Sequence, residues 1–67
     1  MPRISLESAR VNAKMTQKEL AKVLGVSNTT VCNWEAGKAE PTISQLRTIS
    51  ELSGIPMDFI FVPEKSN

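Results

Sequence analysis

Read as a helix, residues 28–36 turn by about 100° per residue. That sends Val31 and Trp34 to one side and Asn28, Thr29, Cys32, Asn33 and Ala36 to the other. The first side is apolar; the second is short, neutral and rich in amide and hydroxyl groups. A helix that only faces water usually carries Lys, Glu and Arg, which favour both helix and solubility. Asn and Thr are poorer helix formers, so their presence asks for another reason. Amide and hydroxyl side chains can pair with base edges in the major groove of DNA: Asn with adenine, Thr with an acceptor or the thymine methyl. A capping region with indifferent surface residues would show the same face, so the surroundings have to decide.

Residues on the other helices bear on that chemistry. Gln17 falls in the first turn of a helix expected over 17–24, where free N–H groups and the helix dipole favour a phosphate. Its own amide adds a donor. Lys18 and Lys22 share the outer face of that helix, as solvated lysines do. Arg10 lies among Leu6, Ala9 and Ala13, the inward side of a helix expected over 6–13. A buried guanidinium costs several kcal/mol unless paired. Either Arg10 reaches out to solvent or it pairs with Glu35, at the edge of the inward face of 28–36. A bidentate pair would leave other guanidinium donors free to meet a phosphate.

Other chemistries are poorly supplied. The chain has no histidine and one cysteine, Cys32, so neither a zinc motif nor an internal disulfide is expected, and no cofactor is implied. Cys32 has no basic neighbour on its helix to activate it and reads as a bystander thiol. No nucleophile–base pair suggests an enzyme or a small-molecule substrate. No apolar run follows the N-terminus as in a signal peptide, and none approaches membrane-spanning length. A cytoplasmic protein is therefore expected. Net charge is only +1, but residues 1–38 carry +3 and residues 39–67 carry −2. The basic half is the half that holds the candidate residues.

The elements that would position them are helical throughout. Thr16-Gln17-Lys18-Glu19 and Thr42-Ile43-Ser44-Gln45 fit capping boxes. Ser5 and Ser27 fit N-caps, and Gly25, Gly37 and Gly54 stand where helices should stop. Pro56 can open a short last helix. Five helices follow, over 6–13, 17–24, 28–36, 43–53 and 56–60, with no strand. Ile43, Leu46, Ile49 and Leu52 recur every third residue and read as core, while Ile55, Phe59 and Ile60 close the bottom. Phe61 and Val62 either fold back or meet another subunit. One domain over 1–62 is expected, with a mobile tail over 63–67.

The run from Thr16 to Lys38, with Ala21, the turn Gly25, the inward Val31 and the ending Trp34-Glu35-Ala36-Gly37, closely resembles the Cro and phage-repressor helix-turn-helix family, also called the xenobiotic-response-element family. The resemblance spans about residues 5–60. It implies an all-α, compact five-helix repressor-like domain whose second and third helices form the helix-turn-helix. It implies a sequence-specific DNA-binding transcriptional regulator, a repressor of phage, mobile-element or bacterial genes, acting as a homodimer on a pseudo-palindromic site in double-stranded DNA. By resemblance Asn28, Thr29 and Asn33 are the base-reading positions. Gln17, Lys38 and Arg10 contact phosphates, and Arg10 and Glu35 form the inter-helix ion pair. Many relatives carry arginine or glutamine on the reading face, and this chain has neither. The alternative is an antirepressor or antitoxin-like module that uses the same fold to bind a partner regulator.

Overall fold

The computed structural model describes residues 3–62; the tail expected over 63–67 lies outside them. The order is β1 (Ile4–Ser5), α1 (Leu6–Asn12), α2 (Gln17–Leu24), α3 (Asn28–Glu35), α4 (Ile43–Ser53), a 3-10 turn (Met57–Phe59) and β2 (Ile60–Phe61).

Each helix begins where a side-chain oxygen can take a first-turn N–H group that has no partner within the helix. Ser5 accepts from the Ser8 N–H at 3.0 Å, and Ser27 from the Thr30 N–H at 3.1 Å. The two capping boxes are complete: Thr16 and Glu19 exchange bonds at the start of α2, and Thr42 and Gln45 do so at the start of α4. α2 ends at Gly25 with φ 72°, a left-handed conformation that costs other residues about 1–2 kcal/mol. α1 ends differently. Lys14 itself takes φ 60°, and the Met15 N–H donates to the Arg10 carbonyl at 3.2 Å.

The core gathers Leu6 and Ala9 of α1, Leu20 and Ala21 of α2, Val31 and Trp34 of α3, Ile49 of α4 and Ile60 of β2. Of the inward faces expected of the first and third helices, Leu6, Ala9, Val31 and Trp34 are buried and Ala13 is half-buried. The fourth helix departs. Ile49 is buried and Leu46 packs beside it, but Ile43 and Leu52 are 61% and 40% exposed. A three-residue repeat falls behind the helical turn by about 60° per step, so residues nine apart face roughly opposite ways. The buried stripe instead runs Leu46, Ile49, Ser53, the i, i+3, i+7 pattern of a helix face. Ser53 is accommodated because its hydroxyl bonds the Ser50 carbonyl and the Ile55 N–H, while its carbonyl accepts from the Asn12 amide at 2.8 Å.

The expected fifth helix is a single 3-10 turn, and the described residues contain four α-helices. Pro56, at ψ 138°, stands outside the turn, and the Phe59 N–H donates to its carbonyl at 2.9 Å. The backbone beyond does not continue the turn because it finds other partners. β2 pairs in parallel with β1, Ile4 opposite Ile60 and Ser5 opposite Phe61. The expectation of no strand is therefore corrected by this short ladder. Ile60 is core, and Val62 packs against it. The Arg3 guanidinium lies 4.9 Å from the centre of the Phe61 ring, a cation–π distance. No described helix is long and apolar enough to cross a membrane.

Candidate nucleic-acid interface

α2 and α3 pack on each other, and Leu20 and Ala21 of the one and Val31 and Trp34 of the other are buried in the same core. Ala21, 3% exposed, is small enough for the two backbones to approach. The turn between them is closed by the Val26 N–H on the Ala21 carbonyl at 2.9 Å, the reach across a left-handed glycine that defines a Schellman end. With Val31 and Trp34 turned inward, Asn28, Thr29 and Cys32 are exposed and Asn33 is half-buried. Thr30 is less available, since its hydroxyl lies 2.9 Å from that of Ser27. Lys38 is exposed just past α3, and its N–H closes the helix on the Asn33 carbonyl at 2.8 Å.

Behind this face lies a charged cluster. The Arg10 Nε donates to Glu35 Oε2 at 2.7 Å and its Nη2 to Oε1 at 3.3 Å, the bidentate fork that suits a guanidinium and a carboxylate. Nη1 donates to the Met15 carbonyl at 2.8 Å, and Glu7 approaches Nη2 at 3.9 Å. The two paired side chains are 11% and 6% exposed. The hydrogen bonds that Arg10 donates to Glu35, opposed by desolvation and aided by the Glu35 and Glu7 charges, raise the Arg10 pKa above its ordinary value. Arg10 is therefore an inner, fully charged group whose donors are mostly spent within the protein. Among the described residues no buried side-chain nitrogen or oxygen lacks a partner.

Glu35 also accepts from Gln17, whose Nε2 donates to Oε1 at 2.9 Å. The structure thus draws Arg10, Glu35 and Gln17, from three different helices, into one network, and sets Asn28, Thr29 and Asn33 apart on the outer side of α3. The Gln17–Glu35 bond had no expectation behind it. The signal existed, because a carboxylate paired through one edge still has free lone pairs, but nothing local pointed from one helix to the other. The single carboxylate of α3 is thus turned inward and neutralised, so the outer face carries no negative charge. Among the described residues no His, Cys, Asp and Glu cluster could hold a metal ion.

An N-capped helix joined by a glycine turn to a second helix with an exposed polar face is the architecture of a helix-turn-helix, and the chain belongs to that family in its Cro/C1 form. The family model described as "Helix-turn-helix" matches residues 6–60, and the family is one of DNA-binding transcription regulators. Among its relatives, the HTH-type transcriptional activator BcrR of Enterococcus faecalis is 33% identical over 60 residues, covering 90% of this chain and 29% of the relative. The HTH-type transcriptional regulator DicA of Escherichia coli K12 is 44% identical over 43 residues, 64% of this chain and 32% of that protein. An uncharacterized HTH-type transcriptional regulator of Methanocaldococcus jannaschii, MJ0272, is 36% identical over 59 residues, 88% of this chain and 89% of the relative. The chain therefore spans about a third of the first two and nearly all of the third. No solved structure gives a significant match.

Proposed function

We propose that this chain is a sequence-specific DNA-binding transcriptional regulator that represses by occupying a pseudo-palindromic operator as a homodimer. The observation that carries the reading is the outer face of α3: exposed, uncharged, and made of side chains that can pair with bases, on a helix whose opposite side is locked into the core. Asn28, Thr29 and Asn33 read bases. Gln17, at the start of α2, and Lys38, after α3, bind flanking phosphates and set the register without specifying sequence. Arg10 has few donors left for a phosphate and contributes mainly by holding Glu35.

One such helix reads only a few base pairs, too few to single out an operator in a genome. A second copy solves this. A cleft of about 300 Å³ is lined by Arg3, Glu40, Ile43, Leu46, Phe61 and Val62, among others. Its exposed apolar Ile43 and its opposite charges, Arg3 and Glu40, suit a self-complementary contact in which each copy offers both partners of a pair. The dimer forms mainly on DNA, because a small patch gives little affinity alone.

Selection from random duplexes followed by footprinting tests this. Two protected half-sites about 10 base pairs apart, or a multiple of that turn, are expected. A single short asymmetric footprint with one protein per duplex in the ultracentrifuge would remove the dimer. No enrichment of any sequence would remove base reading. A protein that binds no duplex, and instead pairs with another regulator, would fit the antirepressor alternative.

A further inference from the structure

We infer that Glu35, besides closing the ion pair with Arg10, is a positioning residue for DNA-backbone binding. Its carboxylate fixes the Gln17 carboxamide at the start of α2 and leaves the second amide N–H for a phosphate oxygen. This rests on the DNA-binding reading above and goes beyond it by giving Glu35 a role in binding as well as in folding.

The geometry is specific. Gln17 is the first residue of α2, half-buried, with Nε2 2.9 Å from Glu35 Oε1. An ionised carboxylate only accepts hydrogen bonds, so the amide must turn its nitrogen toward Glu35, and its two possible orientations reduce to one. Glu35 cannot swing away with Gln17, because Arg10 grips the same carboxylate by two bonds and is itself tied to the Met15 carbonyl. Thr16 and Glu19 close the cap on their own N–H groups. That leaves the Gln17 and Lys18 backbone N–H groups outside the intrahelical ladder. A phosphate at this helix start meets those groups together with an amide already held in place. Holding one long side chain in its bound pose improves affinity by about two- to tenfold, because its ordering no longer has to occur on binding.

Removing Glu35 alone would strand the Arg10 charge and confound binding with folding. The test therefore uses two double variants with no lone buried charge: Arg10→Met/Glu35→Gln, which keeps an amide oxygen facing Gln17, and Arg10→Met/Glu35→Leu, which does not. Both are neutral at the two positions, so their long-range attraction to DNA is equal. The probe is a 20-base-pair duplex of arbitrary sequence at low salt, followed by fluorescence anisotropy. Thermal melts establish that both variants are folded at the titration temperature. The side-chain amide resonances of Gln17 are followed by NMR without DNA. The Glu35→Gln double should bind about two- to tenfold tighter than the Glu35→Leu double, and adding Gln17→Ala to both should abolish the difference. The Gln17 amide pair should be displaced from its wild-type position in the Glu35→Leu double and less so in the other. Equal binding by the two doubles, while the wild type binds the duplex, overturns the inference and leaves the DNA-binding reading intact. A difference that survives Gln17→Ala also overturns it, because the effect would then run through another residue. A folded wild type that binds no duplex at all overturns both.

Discussion

The two sides of α3 put one short helix to opposite uses. The inner side holds Val31, Trp34 and Glu35, each fixed by packing or by hydrogen bonds. The outer side holds Asn28, Thr29 and Cys32, exposed to solvent. A small domain has little surface to spare for a core, so stability and recognition share eight residues and are separated only by the turn of the helix. Substitutions on the inner side should therefore change folding, with Glu35 alone reaching binding as well through its bond to Gln17, and substitutions on the outer side should change binding.

The largest effect should come from Trp34→Ala. Truncating a buried aromatic costs about 3–5 kcal/mol, comparable to the whole stability of many small domains. A urea titration followed by circular dichroism should find the variant largely unfolded without denaturant. A midpoint like that of the wild type would break the comparison at its centre. Next is Glu35→Leu, which leaves the largely buried Arg10 with only Glu7 at 3.9 Å and the Met15 carbonyl as partners and should cost about 3 kcal/mol. Arg10→Met in the same chain should recover most of it, because apolar replacement of both partners of a buried pair is often neutral. Single and double effects that add within about 0.5 kcal/mol would mean that the two residues do not interact.

On the outer side, Asn28→Ala, Thr29→Ala and Asn33→Ala should each leave the unfolding free energy within about 0.5 kcal/mol of the wild type. The discrimination of a selected operator against a mismatched one should fall by about 1–3 kcal/mol per good contact. Gln17→Ala should weaken all sequences about equally. If every one of these leaves a mobility-shift titration unchanged, the outer face is not the reader.

The smallest effect belongs to the start of α2, on which both sides depend. Bonds from the Thr16 backbone N–H and hydroxyl hold the Glu19 carboxyl below its ordinary value of 4.5. A pKa lowered by folding contributes stability above the unfolded value and loses it as pH falls through the folded one. Glu19→Gln should therefore be less stable than the wild type at neutral pH, and the gap should close as melts are taken below about pH 4.5. A gap that is constant with pH would detach Glu19 from the cap.

These contrasts follow what a few neighbouring residues can encode and what only docking can. Helix starts were legible because a cap is a matter of three or four adjacent residues, and Thr16, Ser27 and Thr42 all cap as their neighbours suggest. The inner face of α3 was legible because two large apolar residues three apart, Val31 and Trp34, leave little choice. α4 was misread at both ends, where Ile43 and Leu52 are apolar but turned away by the helical period. The end of α1 carried no glycine, so the left-handed Lys14 had no local signal. The β1–β2 ladder could not be seen at all: two residues have no periodicity, and the partner strand stands at the other end of the described chain. Of the candidate site, the separate residues were legible but the bond from Gln17 to Glu35 was not, because it depends on how two helices dock.

That ladder has a consequence for how the molecule comes apart. The helices are joined by short turns, whereas pairing Ile4 with Ile60 closes a loop of nearly the whole described chain, an entropic cost recovered only after the helices have assembled. Four backbone positions are little to hold such a closure, so fraying here should be the lowest-lying excursion from the native state, ahead of any opening between α2 and α3. Amide exchange at residues 60–61 should then outpace that of the central helices. Each opening bares Ile60 together with an unpaired strand edge, the kind of surface on which chains associate. Heat should therefore make this protein sticky before it makes it unfolded.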